Sequence, residues 1–205
     1  CRRSQSQAPD WFPPHGPELV RRLQEKTPGL AGVVVNFNLR DTNVILGEEV
    51  QTLWGRADLE EELCGLTFRL SVPSFFQVNR DQTQRLYQLA LEFAGLTGAE
   101  TVLDLYCGIG SITLVLARQA KRVIGAEIVP EAVENAKENA RNNGISNAEF
   151  FLGDAGKIAA RLAEERLCPQ VVVVDPPRNV LAEETPENIA GMGPERVGYE
   201  SSDPA

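Results

Sequence analysis

The run Val102-Leu103-Asp104-Leu105-Tyr106-Cys107-Gly108-Ile109-Gly110 decides how the rest of this sequence is read. Its opening residues are apolar and suit a buried strand. Two glycines then let the backbone turn tightly, and a helix-forming stretch follows from Ser111. A Cβ in such a turn would hold a ligand away from the backbone, so strand, glycine turn and helix together read as a nucleotide-binding element. A plain chain reversal would use the same glycines, and the surroundings have to decide.

Working outward, the pattern alternates strand and helix, as a parallel, doubly wound sheet requires. Strands are expected at 101–105, 122–128, 149–152 and 171–174, with a candidate fifth at 196–200. Helices are expected at 111–119, 130–142, 157–165 and, weakly, 181–192. Pro130 falls where the first turn of a helix tolerates proline. Upstream, Leu86, Leu89, Ala90, Phe93 and Ala94 repeat at helical spacing, and Gly95 stops that helix. Residues 1–75 read differently. A short helix over 18–26 precedes apolar runs at 31–39, 44–46, 50–54 and 66–72, a small strand-rich lobe. The expected division is therefore 1–75 for that lobe, 76–98 for a connecting helix and 99–205 for the α/β domain.

Acidic residues fall at the ends of these strands. Glu127 follows Gly108 by nineteen residues, where a carboxylate can accept the hydroxyls of a ribose. Asp154 follows the third α/β strand, where it can hold an adenine amino group. Asp175 ends the fourth, in Val174-Asp175-Pro176-Pro177-Arg178, with two prolines keeping the backbone extended beyond it. Any one acid could be a solvated strand end. A dinucleotide site would want a third glycine where Thr113 stands, and an apolar residue where Asp104 stands. An acid at 104 resembles S-adenosylmethionine methyltransferases, whose ligand carries cations and no pyrophosphate. A nicotinamide nucleotide is the competing ligand. In amine methylases the residue after Asp-Pro-Pro is usually aromatic, and here it is Arg178.

Composition narrows the classes. The chain has 205 residues, 42% of them hydrophobic and 24% charged, which suits a folded protein with a sizeable core. The net charge of -9 argues against tight, unaided binding to nucleic acid. Cys1, Cys64, Cys107 and Cys168 are widely spaced and His15 is the sole histidine, so neither a disulfide framework nor a metal site is expected. No apolar run is long enough to cross a membrane as a helix, and no secretory signal is readable. Reduced thiols point to the cytoplasm. A start at Cys1 rather than Met is expected of a segment inside a longer protein.

Several stretches resemble the RNA uracil-C5-methyltransferase family, in particular its bacterial 23S ribosomal RNA branch. They are Asn43-Val44-Ile45-Leu46-Gly47, Phe75-Phe76-Gln77-Val78-Asn79, the glycine-turn run, Gly125-Ala126-Glu127 and Val174-Asp175-Pro176-Pro177-Arg178. Tyr199-Glu200-Ser201-Ser202-Asp203-Pro204-Ala205 matches more weakly. The resemblance implies a Rossmann-like S-adenosylmethionine-dependent methyltransferase fold and an RNA substrate. It implies that Gln77, Tyr106, Glu127 and Asp175 hold S-adenosylmethionine, beside Asp104, Gly108, Gly110 and Asp154 read from the strand ends. Gln77 could instead cap the following helix, and Tyr106 could pack in the core.

Uracil C5 is a poor nucleophile. In that family a cysteine thiolate adds to C6, which activates C5 toward the methyl group. Ser202 occupies the position of that cysteine, and a hydroxyl is a far weaker nucleophile than a thiolate. The family's general base lies beyond Ala205. Gly198 and Glu200 interrupt what should be an apolar strand, Asn179-Val180 replaces a basic-glycine pair, and the family's amino-terminal barrel, iron-sulfur cysteines and last strands have no counterpart. The expectation is a copy truncated after the fifth strand, with low turnover. The alternative is a non-catalytic module that binds S-adenosylmethionine or RNA.

Overall fold

The computed structural model describes residues 15–38, 46–47, 49–72, 74–176 and 185–200. The expected strand over 44–46 therefore falls almost wholly outside the described residues, and Arg178, Asn179, Val180 and Ser202 lie outside them altogether. The chain forms two compact units, residues 1–59 and 60–205.

In the first unit, helix α1 (Gly16–Lys26) carries paired charges on its exposed side. Arg21 reaches Glu25 and Arg22 reaches Glu18, each one turn away. Strands β1 (Gly32–Phe37) and β2 (Glu49–Gly55) pair antiparallel. The Asn36 side chain donates to the Gly47 carbonyl and accepts from the Gly47 amide, which ties the returning chain to β1.

The second unit is built on a parallel sheet. Strands β5 (Thr101–Leu105), β6 (Arg122–Glu127), β7 (Ala148–Leu152), β8 (Val171–Val174) and β9 (Arg196–Tyr199) run in the order β7-β6-β5-β8-β9. The order reverses between β5 and β8, and open α/β sheets bind their ligands at that reversal, beyond the strands' carboxyl ends. Alternate side chains serve opposite faces. Val102, Val123, Val171 and Val173 join α2 (Arg80–Ala94), α3 (Ser111–Ala117) and α4 (Pro130–Asn142) in one core. Leu103, Leu105, Ile124, Val172 and Val174 join α5 (Ala155–Glu164) and α6 (Thr185–Met192) in the other.

A hairpin, β3 (Asp58–Leu63) and β4 (Leu66–Ser71), adds Leu63, Leu66 and Phe68 to the first core. Its outer edge meets α4 through side chains. Asn143 accepts from the Thr67 amide and donates to the Thr67 carbonyl. One helical turn earlier, Asn139 accepts from the Arg69 amide and donates to the carbonyls of Arg69 and Ile109. Two asparagines at i and i+4 thus stand in for a neighbouring strand, because one turn of helix nearly matches two residues of strand.

Helix starts follow side-chain chemistry. Asn79, not Gln77, caps α2 by accepting from the Gln82 amide. Asp154 caps α5 by accepting from the Lys157 amide, so that helix begins two residues before the expected Lys157.

Candidate cofactor site

The glycine turn leaves β5 through a compact set of left-handed residues. Tyr106, Gly108 and Gly110 have φ of 69°, 56° and 79°. A tyrosine in that region is uncommon and is held there by its surroundings. The amides of Tyr106 and Cys107 both donate to the Ala126 carbonyl at 3.0 Å, and the Gly110 amide closes the turn on the Cys107 carbonyl at 2.9 Å.

The two glycines do different work. A Cβ on Gly108 would meet nothing within 4 Å, so this residue faces open space. A Cβ on Gly110 would come within 3.1 Å of the Phe150 ring and 3.2 Å of Ala136, so Gly110 lets α3 seat against the sheet. Beneath the turn, the Cys107 thiol fills the space over Gly125. Burial, with Asp104 and Glu127 nearby, pushes that thiol well above its ordinary range, so it is an inert packing group.

Glu127 ends β6 and pins the turn. One carboxylate oxygen accepts from the Gly108 amide at 3.0 Å, and the other accepts from the amides of Ile128 and Val129, each at 2.8 Å. These bonds leave a carboxylate about one further acceptor position. Ile128, next along, is 62% exposed and offers apolar surface at the strand end.

Asp104 lies fully inside the fold, on the face shared with α2 and α3. One oxygen accepts from the Thr113 hydroxyl, and Oδ1 has no partner among the described residues. Burial raises its pKa to about 8, and the charges of Asp175, Glu200 and Glu127 push the same way. Asp175 follows β8 and is raised by burial. Glu200 follows β9. Burial, with Asp175 beside it, raises it to about 7. On α2, the Tyr87 hydroxyl meets the Ser111 hydroxyl at 2.6 Å, and its pKa rises through burial, with Glu200, Asp104 and Asp175 adding to the rise.

Asp104, Gly108, Glu127 and Asp175 thus gather at the carboxyl ends of β5, β6 and β8, at the reversal of strand order. Tyr106 turns to the opposite core, where Asp154 acts on its hydroxyl. Asp154 itself is occupied at one oxygen by its capping bond. Gln77 is half-buried in the segment between β4 and α2, where the neighbouring Phe76 ring packs on Phe68 at 6.1 Å. Glu200 was legible only as an interruption of a strand. Its place beside Asp175 follows from the parallel register of β8 and β9. Among the described residues no three His, Cys, Asp or Glu side chains are grouped to hold a metal ion.

Comparison with known proteins agrees with this architecture. Residues 96–174 match a family model described as a methyltransferase domain. An uncharacterized RNA methyltransferase of Clostridium acetobutylicum is 46% identical over 192 residues, which are 94% of this chain and 42% of the relative. Another, from Halalkalibacterium halodurans, is 46% identical with the same coverage. The chain therefore spans less than half the length of these curated relatives. Among solved structures, the Pyrococcus abyssi tRNA (uracil-54, C5)-methyltransferase in complex with S-adenosyl-L-homocysteine superposes with a TM-score of 0.66 at 24% identity, over 85% of this chain and 42% of that one. A SAM-dependent methyltransferase from Agrobacterium tumefaciens superposes with a TM-score of 0.60 at 17% identity, over 78% of this chain and 56% of that one. The chain has the Rossmann-like fold of the S-adenosylmethionine-dependent methyltransferases, and relatives that it matches in sequence are named RNA methyltransferases.

Proposed function

We propose that this chain is the cofactor-binding part of an S-adenosylmethionine-dependent RNA methyltransferase that acts on C5 of uracil, in ribosomal RNA of the 23S type. The observation that carries the reading is the convergence of Asp104, Glu127 and Asp175 with an open glycine turn at the reversal of strand order. The relatives' names support RNA as the substrate class, and the uracil enzyme among the structural neighbours supports the base.

The residues present fit the cofactor. Gly108 leaves the room that a Cβ would fill, Glu127 keeps an acceptor position for a ribose hydroxyl, and the buried Asp104 keeps an unsatisfied oxygen at an acidic edge. Asp154 serves the adenine amino group and Asp175 the reacting end, and Gln77 and Tyr106 also hold the cofactor. When bound, S-adenosylmethionine supplies an electrophilic methyl group. The RNA partner presents an unpaired uridine, because C5 must be approached from the face of the ring. A cytoplasmic location belongs to the same reading. Ser202, in the position of the family's nucleophilic cysteine, lies outside the described residues and favours a second reading, a module that binds the cofactor or RNA without turnover.

Calorimetry tests the first step. S-adenosylmethionine binds and NAD does not, and Glu127→Ala weakens binding by ~1–3 kcal/mol through lost hydrogen bonds. Saturable NAD binding with no heat from S-adenosylmethionine overturns the assignment. Labelled methyl transfer to ribosomal RNA separates the two readings. The chain gives little product, and Ser202→Cys gives more if the catalytic reading holds.

A further inference from the structure

The residue that the proposed chemistry leaves unexplained is Glu200. It ends a strand where an apolar side chain is expected, it is half-buried, and its backbone amide continues the ladder to the Val174 carbonyl at 2.9 Å. Val174 pairs with Tyr199, so the next pair along is Asp175 with Glu200. Tyr199 and Val197 line a cavity on the α6 side, and alternation turns Glu200 to the opposite face, toward α2. Asp104 lies on that same face of β5, further in.

The groups that face Glu200 can be named element by element. Strand β5 contributes Asp104 and the end of β8 contributes Asp175, while Glu127, at the end of β6, acts on Asp104 rather than on Glu200. Helix α2 contributes Tyr87, and α3 contributes the uncharged Ser111 and Thr113. Arg196, on Glu200's own strand, is engaged at the other end with the Gly95 carbonyl. Among the described residues, no lysine or arginine acts on Asp104, Asp175 or Glu200. Buried carboxylates in this number are costly unless protons or a cation neutralise them. A separate observation points to a ligand rather than to protons alone. Asp104 is wholly buried, yet Oδ1 has no partner among the described residues.

We propose that Glu200, with Asp175 beside it and Asp104 beneath, forms a seat for the cationic amino-acid end of the methyl donor, and that filling this seat expels a proton through Glu200. The inference rests on the reading of the site as one for S-adenosylmethionine and adds a specificity residue and a proton linkage to it. In the empty site the carboxyls share protons. When the ammonium or sulfonium cation arrives, the carboxylic acid gives its proton to solvent and keeps the bonding electrons as carboxylate. The raised proton affinities of Glu200 and Asp104 fall in the range where this exchange is measurable.

The test is titration calorimetry of the full chain from pH 6 to pH 8.5, in buffers of different ionisation heat, with S-adenosylmethionine, S-adenosylhomocysteine and adenosine as probes. A single linked proton with Glu200's affinity gives S-adenosylmethionine binding about tenfold weaker at pH 6 than at pH 8, with net proton release near pH 6.5. Adenosine, which lacks the amino acid, releases none. Release with both of the other probes assigns the seat to the ammonium group. Release with S-adenosylmethionine alone assigns it to the sulfonium. Glu200→Gln removes most of the pH dependence, and Glu200→Asp restores it. The wild-type buffer series needs no variant, so a misfolded substitution does not block the test. S-adenosylmethionine binding that releases no proton from the wild-type chain overturns the seat while leaving the cofactor assignment intact. Absence of S-adenosylmethionine binding at every pH overturns the cofactor assignment itself.

Discussion

Because Asp104 lies fully inside the fold, its carboxyl keeps a proton that the unfolded chain gives up. Its pKa is about 8 when folded and 3.8 in the ordinary state, and Glu200 moves in the same direction, to about 7. Between those limits the native state binds more protons than the unfolded state, so stability is lost as pH rises from about 4 to about 8. The expected melting temperature therefore falls between pH 5 and pH 9. Asp104→Asn flattens that fall, since an amide stays neutral and still offers an oxygen to the Thr113 hydroxyl. The variant's stability relative to the wild type rises by a few kcal/mol between pH 5 and pH 8. Thermal melts across that range check this, and parallel wild-type and variant curves would rule it out. At this scale the sequence was informative where a motif fixes the backbone. Strand, glycine turn and the spacing from Gly108 to Glu127 placed both residues at one edge. It was silent on Glu127's amide bonds and on Glu200's neighbours, because both depend on strand register and on which face a side chain takes.

The hairpin and α4 hold together through polar chemistry that no periodicity announces. Asn139 is fully buried, and its amide serves both the Arg69 backbone and the Ile109 carbonyl. Truncation to alanine removes the acceptor of the Arg69 amide and the donor to the Arg69 and Ile109 carbonyls. Asn139→Ala is expected to cost about 2–3 kcal/mol, and Asn143→Ala, half-buried, about 1 kcal/mol. Urea unfolding checks both, and a loss under about 0.5 kcal/mol at Asn139 would mean that the amide is not what docks the hairpin. The same hairpin shows where element reading failed. β3 is Asp-Leu-Glu-Glu-Glu-Leu, with acidic residues exposed through most of its length, so neither alternation nor β-propensity marks it as a strand. It becomes one because Leu63 and Phe68 are buried on either side of the turn and the backbone must pair. The strands of the parallel sheet were legible because burial on both faces makes them continuous apolar runs, as in Val171–Val174. The third α/β strand was read one residue late, since Ala148 carries little signal beside Glu149.

On the scale of the whole molecule, the consequence of the fold lies at the β9 border of the sheet. Among the described residues β9 pairs with β8 alone, leaving a row of backbone donors and acceptors on its other side. Apolar surface lies against that edge. Val197 is 54% and Tyr199 59% exposed, and with Ile189 and Pro186 they line a cavity of about 400 Å³. An unpaired strand beside exposed apolar side chains is a template for pairing with another chain. The chain covers 42% of the length of the relative that it matches. The edge itself is read directly from the strand order. The isolated chain is therefore expected to self-associate as its concentration rises, with light scattering increasing faster than linearly. Val197→Lys places a charge on the strand's exposed face, where a second strand would have to bury it, and reduces that scattering severalfold. The substitution stays clear of Asp104, Glu127 and Asp175, since Val197 belongs to the α6 face, so its melting temperature should stay close to that of the wild type. Equal scattering from both proteins would show that association runs through another surface. A lower melting temperature with less scattering would mean that Val197 contributes more to the α6 core than its exposure indicates.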